Sequence, residues 1–180
     1  MEKYDYLKKF INSTPDEPHR NYFGLISTQE IKEAEERLGF EFPAALKEFW
    51  LEIGYGTLTT SIKHIKSINN NRIFYPEQIA DIMLLREESA YIVLDLSEYI
   101  EEGYIKEDDI IFFEIADMSS FLVMKPSSDK PDAVYDMLGN VIEEHFEKFI
   151  WRLYYESPDY YIPIKLEALN KMIAATHQES

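Results

Sequence analysis

The chain has no cysteine at all. That absence excludes disulfides, thiolate nucleophiles and every cysteine-based zinc site. It also has no apolar run approaching the roughly 18 residues that a membrane-spanning helix needs. Its first residues, MEKYDYLKKFINS, lack the apolar stretch of a secretion signal. A reducing, cytoplasmic setting is the expectation. Basic residues are scarce, with 18 Lys plus Arg against 34 Asp plus Glu and a formal net charge of −16. Phosphates need Lys and Arg, so direct binding to nucleic acid or to an anionic membrane is not expected. An acidic protein instead favours a basic partner reached by electrostatic steering, although the same charge also serves solubility.

Catalytic signatures are missing too. The four histidines, His19, His64, His145 and His177, are scattered, and none lies within four residues of another. There is no G-x-S-x-G, no phosphate-binding loop and no dinucleotide fingerprint. His145 sits among Glu143, Glu144 and Glu147, a pattern that reads more readily as a solvated helix face than as a ligand set. Asp108 and Asp109 suggest paired carboxylates, but adjacent residues on a strand or turn usually diverge. No metal, no cofactor and no catalytic residue is expected.

What is present is a globular composition: 46% hydrophobic and 14% aromatic over 180 residues. One domain spanning 1–180 is the default at this length. Tyr4, Leu7 and Ile11 fall at helical spacing and predict a short opening helix. Residues 13–21, rich in proline and polar groups, read as a loop. Ser27 and Glu30 form a capping box that starts a helix carrying Ile31, Ala34 and Leu38 on one face. Gly39 stops it, and Pro43 opens the next, whose Leu46, Phe49, Trp50 and Ile53 form a core-facing stripe. After Gly54 and Gly56 the texture turns to strand. Residues 57–68 and 72–75 are extended, and Pro76 starts a helix ending near Leu85. The run YIVLDL at 91–96 is ambiguous between strand and buried helix. Strands follow at 110–115, 121–125 and 133–137, with a hairpin-like turn at 138–140. Phe146, Phe149, Ile150 and Leu153 mark an amphipathic helix, and a weaker one is expected over 164–175. The class is α+β, a mainly antiparallel sheet flanked by N- and C-terminal helices.

Between Asp95 and Asp117 nine acidic residues face one basic residue, Lys106. They are interleaved with Tyr91, Tyr99 and Tyr104. Acidic groups beside tyrosines make a plausible surface for a basic protein, because Tyr adds contact area at low entropic cost. An ordinary solvated acidic face is the equally weighted alternative. The candidate partner-binding residues are Glu98, Tyr99, Glu101, Glu102, Tyr104, Glu107, Asp108 and Asp109. A second group, Tyr154, Tyr155, Tyr160 and Tyr161, reads as pinning a C-terminal helix to the core rather than as a binding edge.

The segment AEERLGFEFPAALKEFWLEIGYG at 34–56 defines a corner with unusual care yet holds no catalytic group. It resembles the N-terminal signature of the SUKH superfamily, shared by yeast cell-wall-assembly regulators and many bacterial immunity proteins. The matching residues are Ile31, Glu35, Leu38-Gly39, Phe42-Pro43, the helix at 46–50 with Trp50, and Gly54 to Gly56. Segments 74–79, 111–123 and 135–149 are similar as well, so the resemblance runs over about 27–153. The physical reading makes this corner architecture, with Glu35 expected to bond backbone near the Gly54–Gly56 turn. The resemblance implies a SUKH-like fold and a non-enzymatic immunity protein that neutralises a cognate toxin, often a nuclease, through that toxin's basic surface. A scaffold or peptide-binding module of the cell-wall-regulator type is the alternative, and an acid–base or metal-dependent enzyme using Asp108-Asp109 is a third.

Overall fold

The computed structural model describes residues 3–13, 21–59, 71–84, 97–115, 120–157 and 160–161. The expected elements at 91–96 and 164–175, and most of the extended stretch at 57–68, lie outside the described residues.

Helix α1, Thr28–Leu38, begins at the capping box foreseen in the sequence. The Glu30 amide donates to the Ser27 hydroxyl at 3.2 Å, and the Ser27 amide donates to the Glu30 carboxylate at 2.7 Å. Hydrogen bonds from the Ser27 hydroxyl and amide hold the Glu30 carboxyl below its ordinary pKa. Ile31 and Ala34 face inward. Gly39 ends the helix at φ +82°, where a side chain would be strained. Helix α2, Ala44–Glu52, starts directly after Pro43 and buries Leu46, Phe49 and Trp50.

Glu35 does have a structural role, but not the expected one. Its Oε1 accepts the Phe42 amide at 2.8 Å and meets Lys47 Nζ at 3.0 Å, so it ties the α1–α2 joint rather than the Gly54–Gly56 turn. The reason is local. The left-handed turn at Gly39 folds the chain back over the last turn of α1, and Phe42 lies ahead of α2, where its N–H has no helical acceptor. Lys47 is drawn down by burial, yet its bonds to Glu41 and Glu35 outweigh that and raise its pKa.

The described residues form seven strands in a single antiparallel sheet whose spatial order is their chain order. They are β1 Tyr22–Gly24, β2 Tyr55–Leu58, β3 Asn71–Ile73, β4 Ile110–Ile115, β5 Ser120–Met124, β6 Val134–Asp136 and β7 Val141–Glu143. The architecture is α+β. The helices are less segregated than expected: β1 precedes α1, and α3 (Pro76–Met83) and α4 (Ser97–Glu101) interrupt the strand series before α5 (Phe146–Tyr155) closes it. The turn expected at 138–140 is built on Asp136, whose carboxylate accepts the Leu138 and Asn140 amides at 3.0 and 2.8 Å.

The core is aromatic. Phe49 touches Tyr4, Phe23 and Phe146 with ring centroids 5.0, 6.0 and 5.6 Å away. A bulge between Ile111 and Phe113 breaks the alternation of β4, so Phe112 and Phe113 both reach Phe149, at 6.0 and 5.2 Å. Trp50 is fully buried against Phe42, and its indole N–H donates to the Phe74 carbonyl at 2.9 Å. The opening segment departs from expectation. It is a run of turns ending in a 3-10 turn at Lys8–Phe10, not an α-helix. Tyr4 and Leu7 are buried as their spacing predicts, but Ile11 is drawn out to bridge Phe23 of β1, and the Asn12 amide donates to the Phe23 carbonyl at 2.9 Å.

The Gly-Tyr-Gly after α2 has a steric explanation. A Cβ on Gly54 would lie 1.9 Å from the Gly24 carbonyl oxygen, and one on Gly56 would lie 2.0 Å from that of Tyr22. Only glycine lets β2 approach β1 this closely.

Two outcomes are expected in chemical denaturation. Trp50→Ala should lose about 3–5 kcal/mol, the range for deleting a large core aromatic. Gly54→Ala and Gly56→Ala should each cost more than the ~1–3 kcal/mol of backbone strain alone, because β1 must also move. Gly39→Ala should cost only ~1–2 kcal/mol, since nothing lies near its missing side chain. Equal losses at all three glycines would refute the close-approach argument.

Candidate functional site

The acidic stretch singled out in the sequence folds into α4 and the loop that leads to β4. Gly103, at φ +77°, turns the chain after α4, and its amide donates to the Ile100 carbonyl at 3.0 Å. The Tyr104 and Ile105 amides both donate to the Tyr99 carbonyl, at 2.9 and 3.1 Å. Ile105 is buried, while Tyr99 and Ile100 pack partly against the core. The loop is therefore anchored from beneath.

Charge alone does not place the acidic residues on one surface. Glu101, Glu102 and Glu107 are exposed, and Tyr99, Tyr104 and Asp108 are half-buried. Asp109 is 1% exposed and does not belong to the open face. Its carboxylate accepts the Lys106 amide at 3.0 Å and pairs with Lys125 Nζ from β5's end at 2.9 Å. The same ammonium donates to the Tyr104 carbonyl at 2.6 Å. Asp108 is half-buried and accepts a hydrogen bond from the Ser127 hydroxyl. The two adjacent carboxylates thus have separate partners. Glu114, within β4, pairs with Arg72 of β3 at 2.7 Å. Glu98 lies in α4, and Tyr91, Asp95 and Asp117 lie outside the described residues. Among the described side chains of the stretch, the exposed acids are Glu101, Glu102 and Glu107, with Asp108 half-buried.

The His145 neighbourhood is also divided. Glu143 pairs with Lys148 and Arg152, at 3.1 and 3.2 Å, and Glu144 pairs with Lys130. Among the described residues no group of three His, Asp or Glu side chains could hold a metal ion. No described helix is long and apolar enough to cross a membrane. The tyrosine group near the C-terminus packs inward in part. Tyr154 and Tyr161 are buried, and Tyr154 meets Tyr6 and Phe10 of the opening segment at 5.2 and 6.1 Å.

Lys125 is the residue that sequence reasoning missed, a single cation behind a run of acids. It joins the α4–β4 loop to β5 through one buried carboxylate and one carbonyl. Lys125→Met should leave Asp109 buried and unpaired, costing about 3–5 kcal/mol. Adding Asp109→Asn should recover part of that loss, with a coupling of about 0.5–3 kcal/mol in a double-mutant cycle. Strictly additive losses would mean that the pair does not hold the loop.

Comparison with known proteins places this geometry. The sequence profile of the SMI1 / KNR4 family (SUKH-1) matches residues 25–164. Those residues include α1, α2, strands β2 to β7 and α5. The immunity protein YxxD of Bacillus subtilis (strain 168) is 29% identical over 118 residues, covering 65% of this chain and 74% of that protein. No solved structure matches. A profile that spans well over half of the chain, including the capped α1–α2 corner and the Gly-Tyr-Gly turn, makes the protein a member of the SMI1 / KNR4 (SUKH-1) family.

Proposed function

We propose that this protein is an immunity protein that binds a cognate bacterial toxin domain and neutralises it without catalysis of its own. The observation that carries this reading is membership of the SUKH-1 family together with the likeness to a relative named as an immunity protein. The charge supports it from the physical side. At −16 the chain repels nucleic acid and anionic membranes, and attracts a basic protein surface. A nuclease is the toxin class that fits best. It must hold phosphates with Lys and Arg, and an acidic protein can occupy the same cleft.

The exposed Glu101, Glu102 and Glu107, with Asp108, Tyr99 and Tyr104 beside them, are the proposed first contact. Their loop is fastened by Lys125 and Asp109, so it meets the partner already ordered and loses little entropy on binding. Glu98 on α4 belongs to the same proposed surface.

The direct test is to look beside this gene for one that encodes a toxin domain and to co-express the two. Restored growth, together with a stable purified complex, is the expected result. No rescue and no complex, with capture of several unrelated proteins instead, would make the chain a regulatory scaffold. Kinetics then test the acidic face. Replacing Glu101, Glu102 and Glu107 by Gln should slow association and flatten its salt dependence, because rim charges steer encounter. Dissociation should change little. Unchanged association at low and moderate salt would reduce these residues to a solvated face.

A further inference from the structure

A second surface is built by the corner itself. Tyr55 opens β2 between Gly54 and Gly56, on the strand face opposite Gly56 and Leu58, which are buried. Its cross-strand partner is Gly24. A Cβ on Gly24 would lie 2.8 Å from the Tyr55 ring, so the ring occupies the space that any other residue would need. Tyr55 also meets Tyr75, at the start of α3, edge to face with centroids 5.2 Å apart. Two aromatic rings in contact thus line a cleft between α1 and the first turn of α3.

The walls of this cleft are charged. Glu30 and Glu33 come from α1, Glu77 comes from α3, and Arg37 is the one cation among the lining residues. Arg37 is already occupied: its guanidinium pairs with Asp81 and lies 3.9 Å from Glu77. Glu30, Glu33 and Glu77 are exposed. The cleft measures about 220 Å³, below the ~300–1,000 Å³ usual for small-molecule and cofactor sites. Its size suits a single side chain. Its lining, two tyrosine rings together with exposed carboxylates, suits a planar cation that can stack and hydrogen-bond at once. Arg37 itself shows a guanidinium held between carboxylates at one end of the same cleft.

We infer that the Tyr55–Tyr75 cleft takes one arginine side chain from the protein partner, its guanidinium lying on the tyrosine rings between Glu33 and Glu77. This rests on the proposed binding function and names a site for it apart from the α4–β4 loop. Leu25, which follows Gly24 and is 58% exposed, supplies apolar surface next to the corner for the backbone that carries that arginine.

The test uses the whole protein and two small probes, N-acetyl-arginine amide and N-acetyl-lysine amide, titrated by amide and tyrosine-ring NMR. Saturable shifts at Glu33, Tyr55, Tyr75 and Glu77 with the arginine probe, and weaker ones with lysine, are expected. In the variant Glu33→Gln with Glu77→Gln, both at exposed positions, affinity should fall roughly 2- to 30-fold, the change expected for two exposed ion pairs. Equal response to lysine, an unaffected double variant, or shifts confined to residues 101–107 would each overturn the inference. A toxin arm separates this from the function itself. If the neighbouring toxin domain binds the wild type and binds the double variant undiminished, the cleft is not the site while the immunity reading stands. If the wild type binds no toxin, the immunity reading fails and the probe titration still decides whether the cleft takes arginine.

Discussion

Where β2 leaves α2, two carbonyl oxygens of β1 occupy the places that side chains on Gly54 and Gly56 would need, at 1.9 and 2.0 Å from the missing Cβ positions. Much else follows from that backbone approach. It sets β1 against β2 so that Phe23 faces Gly56, and Phe23 points into the core to meet Phe49. A slip of one residue would turn Phe23 outward and Tyr22 inward. β1 in turn gives the opening segment something to hold, through the Ile11–Phe23 bridge. Helix α2 is gripped at both ends: Glu35 binds the Phe42 amide and Lys47 at its start, and the Gly54 amide donates to the Phe49 carbonyl at 3.2 Å at its end. With α2 fixed, the Trp50 indole can reach the Phe74 carbonyl and lock the chain between β3 and α3 to the helical layer.

The corner was legible from sequence because its reasons are local. A capping box, a left-handed glycine and a helix-opening proline each act within a few residues, and each stands where its type implies. The strands at 110–115 and 121–125 were legible for the same reason, as continuous runs of β-formers bounded by turn residues. What was missed depends on distant partners. β1 has only three residues and exists because β2 comes within reach of it. The opening segment has helical spacing, yet Ile11 gains a strand partner that a helix would deny it. Glu35 was expected to bond backbone near the Gly54–Gly56 turn, but its amide partner, Phe42, depended on how the Gly39 turn swings, which the sequence pattern does not encode.

The candidate surface shows the same limit. A run of acids is one object in sequence and several in space. Asp109 and Glu114 are engaged by Lys125 and Arg72, whose positions lie 16 and 42 residues away. They contribute to holding the sheet and its loop rather than to the field outside. The exposed remainder is smaller than the count of charges suggests, but it is better ordered, because the buried pair fixes the loop that carries it. Buried ion pairs are weak arguments for stability in general. Here the effect of the pair is positional: the Lys125 ammonium touches both Asp109 and the Tyr104 carbonyl, and so sets where Tyr104 and its acidic neighbours stand.

As proposed contacts, the acidic loop and the tyrosine cleft would serve different parts of one binding event. Exposed carboxylates act over a Debye length and shape the encounter, whereas a seated aromatic contact is felt only after docking and sets how long the complex lasts. For both to act on one partner, the distance between them must not drift. The elements that carry them meet that requirement. The cleft is walled by α1 and α3, which pack on each other; α3 also packs on β4, and β4 begins at Ile110, one residue after Asp109 closes the loop. Five of the six residues of β4 are buried. A buried strand therefore links the loop to the helices that wall the cleft. That connection gives a reason for a corner so carefully specified without a catalytic group: under the proposed binding function, its work is to hold contacts at fixed places.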